Sequence, residues 1–406
     1  MRKKEYGKKV ISIILAASMM ISLAACGGGK ASDTQQTAVS QETTAGTETP
    51  AEPETAAEQA PEAAAAKYSV TEENGNKEMT MARQPEASYW FPAQLLEWNA
   101  ADDEDLIFNV STVPLAKRAD IDSLETVNAT QNKDTKILSI SIMNGSTSGN
   151  SPHGLNKAEA NAFSYWQYVD TLVYWGGSSG EGLIVAPSPD VVDAGHRNGV
   201  KVIGTVFMPQ AAHGGKIEWL DDLLQKNEDG SYPVVDKLIE VAETYGFDGW
   251  FINQETEGTD EASLTKEHAD LMQGFLSYYK EKAPDLELVY YDSMTVDGEM
   301  DWQNALTEKN AAYLKNVDGA DVADSMFLNF WWTTDKLAPD ELLKASAELA
   351  AEKQIDPYDL YAGIDLQSNG YDTPIKWNLF TAWRVQHRQF LYQYAAAHGR
   401  DKQVHI

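Results

Sequence analysis

From residue 137 onward the chain alternates short, β-branched apolar runs with stretches of helical periodicity, and this alternation constrains its fold more than any other feature. Strand-like runs fall at 137–142, 168–175, 201–208, 247–253, 286–291, 326–332 and 360–366. Between them, Ser188-Pro189-Asp190 supplies an N-cap, a proline at the first helical position and an early acid, and Gly199 closes that helix. A second helix is predicted over 232–245, ending at Gly246, with others over 217–225, 264–282, 304–315 and 339–353. Strands that alternate with helices build parallel βαβ units. Seven such strands approach the eight of a (β/α)8 TIM-type barrel, which is the expected fold class.

A Rossmann fold fits less well. No glycine-rich nucleotide loop follows a strand: Gly176-Gly177-Ser178-Ser179-Gly180 lacks both the dinucleotide spacing and the lysine of a phosphate loop. Asn227-Glu228-Asp229-Gly230 reads as a turn, because the ligand repeat of a calcium loop is missing. No cofactor is expected. The formal net charge of −30 argues against nucleic acid as a partner, since a phosphate backbone rewards Lys and Arg. One Cys excludes a disulfide framework and any cysteine-based metal site, and the seven His show no metal-ligand spacing. No metal site is expected, although carboxylate sites are not excluded on composition. Eleven Trp are many for a chain of this length, and flat aromatic faces suit sugar rings.

The first residues read as a secretory leader. Arg2, Lys3, Lys4, Lys8 and Lys9 precede an apolar run over 10–25 that is too short for an ordinary membrane span. Leu23-Ala24-Ala25-Cys26 resembles the bacterial lipoprotein box, in which the Cys is acylated and becomes the mature N-terminus. Residues 1–25 are therefore expected to be a signal peptide and Cys26 the site of lipid attachment. Residues 26–66 follow as an acidic tether without aromatic residues, too poor in apolar side chains to offset chain entropy. An N-terminal extension packed on the barrel (67–130), a catalytic barrel (131–380) and an atypical tail (381–406) complete the expected organisation. The expected location is the extracellular face of a bacterial cell membrane, reached through the lipid anchor alone.

Barrel enzymes work at the C-terminal ends of their strands. There the run Phe247-Asp248-Gly249-Trp250-Phe251-Ile252-Asn253-Gln254-Glu255 places Asn253 and Glu255 two residues apart, on one face if the strand persists. One carboxylic acid beside one carboxamide is not the paired acids of ordinary glycoside hydrolysis. It suits a substrate-assisted reaction, in which the sugar's 2-acetamido oxygen attacks the anomeric carbon and a single acid protonates the leaving oxygen.

Trp250-Phe251-Ile252-Asn253-Gln254-Glu255-Thr256 resembles the signature of the family 85 glycoside hydrolases, the endo-β-N-acetylglucosaminidases. Trp90-Phe91-Pro92, Tyr174-Trp175-Gly176-Gly177, Gly204-Thr205-Val206-Phe207, Tyr290-Tyr291-Asp292-Ser293-Met294 and Phe327-Leu328-Asn329-Phe330-Trp331-Trp332 support it, in order, up to about Leu379. The resemblance implies hydrolysis of the GlcNAc-β1,4-GlcNAc bond in N-glycans or glycoproteins. It implies Glu255 as general acid/base, Asn253 as the residue that polarises the acetamido group, and Tyr291 as a further contact to it. Trp302, Trp331 and Trp332 match aromatic residues that line the cleft, with Trp175 and Asp365 as further substrate-binding candidates. On alternation alone, Trp331 and Trp332 should face opposite sides of their strand, so one of them is expected at the cleft. Trp250 reads as core, and Asp292 and Asp365 read either as sugar contacts or as loop caps.

Residues 381–406 depart from the family pattern. They show no convincing strand and carry Arg384, Arg388, Arg400 and Lys402 against Asp401. The expectation is a reading frame interrupted near Phe380 and a barrel left open, with unpaired strand edges. Two other functions compete: a non-catalytic glycan-binding surface lipoprotein, and a family 18 chitinase-like hydrolase. The second needs acids spaced before the catalytic Glu, and Asp248 alone does not supply them.

Overall fold

In the computed structural model the described residues run from 68 to 365, apart from 74–75, 82–83, 124, 126–131, 145, 154–162 and 334–338. The expected leader, Cys26, the tether and the tail over 381–406 lie outside them. Seven strands pair in parallel, each with the next in chain order: β1 Leu138–Ile142, β2 Thr171–Trp175, β3 Lys201–Met208, β4 Gly249–Gln254, β5 Glu287–Tyr291, β6 Ser325–Leu328 and β7 Leu360–Ala362. Helices Pro189–Arg197, Ile217–Leu223, Pro233–Tyr245, Lys266–Lys282 and Pro339–Lys353 lie between successive strands. The fold is thus the expected alternation of parallel strands and helices.

The sheet is curled rather than flat. Thr171 Oγ1 on β2 donates to the Glu287 carboxylate on β5 at 3.1 Å, although three inter-strand spacings would separate them by about 14 Å in a plane. The lead-ins to β1 and β7 also meet, through Asn132 to Tyr358 at 2.5 Å and Lys136 to Asp359 at 3.2 Å. Inside this wall, Val173, Ile203, Phe251, Val289, Tyr291 and Phe327 form one apolar cluster, joined by Leu138, Ile140 and Tyr361. Because side chains alternate along a strand, the intervening residues pack outward against the helices. Trp250 is one of these. It is fully buried, donates from Nε1 to Leu238 O at 2.9 Å, and fits because Gly204 faces it, where a Cβ would come within 2.6 Å of its ring. The expectation of an unclosed barrel turns on residues 366–406, outside the described residues.

The segment before the barrel is built onto it. Tyr89–Trp90 pairs antiparallel with Ile184–Val185, which pairs antiparallel with β3. The Trp90 ring lies 6.0 Å from Trp98 and 6.4 Å from Tyr245, extending the outer core.

Two sequence expectations fail, for one reason. The helix expected over 304–315 does not form, and only Ala311–Tyr313 makes a short 3-10 turn. The strand expected over 326–332 ends at Leu328, and Phe330–Thr333 turns as a 3-10 helix. In both places the Asp292 carboxylate captures backbone that regular structure would have used. It accepts from the backbone N–H groups of Gln303 at 3.2 Å, Asn304 at 2.7 Å and Asn329 at 3.4 Å, and from Asn310 Nδ2 at 2.9 Å. Asn304 takes a positive φ of 55°, which an α-helix cannot contain.

Candidate active site

The C-terminal mouth of the barrel gathers the polar residues that the sequence singles out. Asn253, on β4, pairs with Phe207 on β3 and shares the inward face with Phe251. Glu255 lies one residue past β4, but its N–H still donates to Met208 O at 2.8 Å, so the ladder continues and both side chains keep the same face. Asn253 is 5% exposed, and its Oδ1 is buried without a hydrogen-bond partner. A buried carbonyl left unpaired is costly in a finished fold, so this atom is an acceptor available at the barrel mouth.

Glu255 is half-buried and accepts from Gln210 Nε2 at 3.0 Å. Burial raises its pKa, while hydrogen bonds from Gln210 and Asn253 and the nearby charge of His213 pull it down. The turn that carries Gln210 and His213 is fixed from below: Glu257 accepts from Ala211 N–H at 3.0 Å, and a Cβ on Gly215 would lie 1.8 Å from Pro209 O. Removing the Gln210 amide takes away a donor to the ionised form. Gln210→Ala should therefore raise the Glu255 pKa and move the alkaline limb of a kcat/KM–pH profile to higher pH. A limb that stays put, or moves to lower pH, would contradict this role.

Two other buried carboxyls bound the barrel interior, and neither is available for chemistry. Glu287, at the opposite end, is pushed up by burial but is held by Thr171 and by Lys201 at 3.3 Å. Asp292 is raised to about 6 by burial in spite of its four donors, and those donors fill its acceptor sites. It is a loop cap, the structural alternative for this strand end. Asp248 stands at the start of β4, accepting from Val202 N–H and bonded to His196 Nε2, far along the strand from Glu255. Asp248 therefore does not supply the neighbouring acid that a family 18 arrangement would need beside Glu255.

The aromatic candidates separate. Trp175, at the end of β2, packs against Phe207 and Phe251 with centroids 5.2 and 5.9 Å away. Tyr291 ends β5 within the same inner cluster, beside Trp302. Trp331 is 47% exposed at the rim, whereas Trp332 is 1% exposed and turned away. Trp332 packs on Leu342, Leu343, Ala362 and Ile364 and donates from Nε1 to Gly363 O at 2.8 Å. Its assignment to the cleft is therefore wrong, because the 3-10 turn replaces strand alternation and sends it into a small core beneath the following helix. Trp332→Ala should cost about 3–5 kcal/mol of stability, read from denaturant unfolding. Asp365 is half-buried three residues beyond β7. Cys26 lies outside the described residues. Gln210, Asn304 and Asn329 were missed, although Asn329 sits inside one of the motif stretches and Gln210 follows a strand end by two residues.

The family's sequence profile, described as glycosyl hydrolase family 85, matches residues 143–400, well over half of the chain and past Leu379. The chain belongs to glycosyl hydrolase family 85. A solved structure, the glycoside hydrolase domain of Endo-D from Streptococcus pneumoniae R6, superimposes with a TM-score of 0.60 at 35% identity, over 70% of this chain and 43% of that one. Among curated proteins, the cytosolic endo-beta-N-acetylglucosaminidase of Gallus gallus is 28% identical over 69% of this chain and 35% of its own length. The human protein of the same name is 26% identical over 68% and 33%, respectively. The chain thus spans about a third of the length of the curated relatives it matches. Among the described residues no group of His, Cys, Asp or Glu is arranged to hold a metal ion, and no helix is long and apolar enough to cross a membrane.

Proposed function

We propose that this family 85 glycoside hydrolase is an endo-β-N-acetylglucosaminidase that cuts the GlcNAc-β1,4-GlcNAc bond of the N-glycan core, using the substrate's acetamido oxygen as nucleophile. The observation that carries the reading is the pairing of Glu255, a half-buried carboxyl at the end of β4, with the unpaired buried acceptor Asn253 Oδ1 on the same face. An ordinary retaining glycosidase needs a second carboxylate about 5–5.5 Å away as nucleophile. Here the neighbouring acids are engaged, Glu257 by Ala211 N–H and Asp292 by four donors. This supports a nucleophile supplied by the substrate itself.

The steps follow from the groups present. The acetamido carbonyl oxygen attacks the anomeric carbon from the face opposite the leaving sugar, closing a five-membered oxazolinium ring that keeps the amide proton. As that oxygen gives up electron density, the amide N–H becomes acidic, and Asn253 Oδ1 accepts its hydrogen bond. Glu255 gives its proton to the glycosidic oxygen, and the reducing-side sugar departs. The resulting carboxylate then removes a proton from a water that attacks the anomeric carbon and reopens the ring, with net retention. Burial favours the protonated form of Glu255 that the first step needs, and the Gln210 hydrogen bond favours the ionised form that the second needs. Trp175, Trp302 and Trp331 offer aromatic surface for the sugars on either side of the bond.

The location proposed is the outer face of a bacterial membrane, with Cys26 acylated and residues 27–66 as spacer; the basic start, the apolar run and Leu-Ala-Ala-Cys support it. Radiolabelled palmitate should enter the full chain and fail to enter Cys26→Ser; equal labelling of both would refute the anchor.

A further inference from the structure

Tyr291 is buried, and its hydroxyl lies 2.7 Å from Asn329 Oδ1. Which of the two carries the proton toward the other decides how Tyr291 can greet a ligand. Two backbone groups settle it. The Trp302 carbonyl can only accept, so the Asn304 atom 2.8 Å from it is the amide nitrogen. The Trp331 N–H can only donate, so the Asn304 atom 3.0 Å from it is the oxygen. That same oxygen faces the Asn329 amide at 3.0 Å, which must therefore present its nitrogen. The Asn329 oxygen is left facing Tyr291, and the tyrosine has to be the donor.

We propose that Asn304 and Asn329 form a positioning relay that commits the Tyr291 hydroxyl proton to Asn329, so that Tyr291 meets the substrate only as a hydrogen-bond acceptor. The relay is rooted in Asp292, whose carboxylate holds the backbone N–H groups of both asparagines and fixes Asn304 at its positive φ.

The consequence for the reaction rests on the activity proposed above. An acetamido group carries one donor, its N–H, and one acceptor, its carbonyl oxygen. A tyrosine that donated to the carbonyl would draw electron density from the attacking atom. As an acceptor, Tyr291 instead shares the N–H side with Asn253 Oδ1 and leaves the nucleophile unencumbered. The relay also ties the backbone of Trp302 and Trp331 to the same asparagine, so the aromatic rim and the tyrosine are placed together.

Neutron diffraction from perdeuterated crystals of the full chain reads the proton directly. The relay requires the Tyr291 deuteron on the line to Asn329 Oδ1 and an Asn329 deuteron aimed at Asn304 Oδ1. A tyrosine deuteron aimed into the cleft overturns it. A double-mutant cycle gives the kinetic test. Asn329→Leu should lower kcat about tenfold to a hundredfold with KM changed by less than about threefold, and should lower kcat less than about twofold further in a Tyr291→Phe background. Additive losses would show that Asn329 does not act through Tyr291. Should Asn329→Leu melt without cooperativity, Asn304→Gly serves in its place. It keeps the backbone conformation and the bond to Asp292, removes the relay amide, and must show the same non-additivity. Failure of the unaltered chain to release glycan bears on the activity alone, because the neutron result is obtained without turnover.

Discussion

Glu255→Gln should lower glycan release about 10²–10⁴-fold while leaving the fold and substrate affinity intact. The substitution keeps the size of the side chain and its contact with Gln210, but an amide can neither give a proton to the glycosidic oxygen nor take one from water. Both halves of the proposed reaction should be affected, because in it one residue serves as acid and then as base. A substrate with a leaving group that needs no protonation should therefore recover the first half and still stall at the second. If Glu255→Gln kept more than about a tenth of the activity, another acid would have to be found, and the described mouth offers only carboxyls already engaged.

Asn253→Ala should act mainly on the first half, since its hydrogen bond to Glu255 adds only a smaller effect through that acid. In the proposed reaction its unpaired Oδ1 takes the acetamido N–H as the ring closes, and that demand exists when the amide itself is the nucleophile. Loss of the acceptor should reduce cleavage of an intact glycan about 10²–10³-fold, the scale seen when one preorganised transition-state hydrogen bond is removed. A preformed sugar oxazoline bypasses ring closure, so its consumption should fall far less. The two substrates measured side by side separate the role of Asn253 from that of Glu255. Equal losses on both substrates would mean that Asn253 supports the fold or general binding instead.

The strands and most helices were legible because each depends on local pattern. Gly246 ends its helix in a left-handed conformation with φ 77°, as its place after Tyr245 predicts, and the helix from Pro339 to Lys353 matches its expected bounds. Asn253 and Glu255 were legible because strand alternation carries them to one face. The misreadings share one cause that a local window does not contain. Asp292 is a single buried acid whose partners lie from 11 to 37 residues further along the chain, and it turns two segments with acceptable helix and strand patterns into loops. Trp332 was misplaced with them, since alternation holds only while the backbone is a strand. Gln210 was missed because nothing in its own neighbourhood distinguishes it; its meaning comes from the adjacent strand, where Phe207 and Met208 lie level with Asn253 and Gln254.

The most direct test is to incubate the full chain with an N-glycosylated protein and weigh both products by mass spectrometry. The proposed activity predicts a released glycan ending in one GlcNAc and a protein that keeps one GlcNAc on its asparagine, with Glu255→Gln inert beside it. An untouched glycoprotein, or a glycan released with both GlcNAc residues attached, would contradict it.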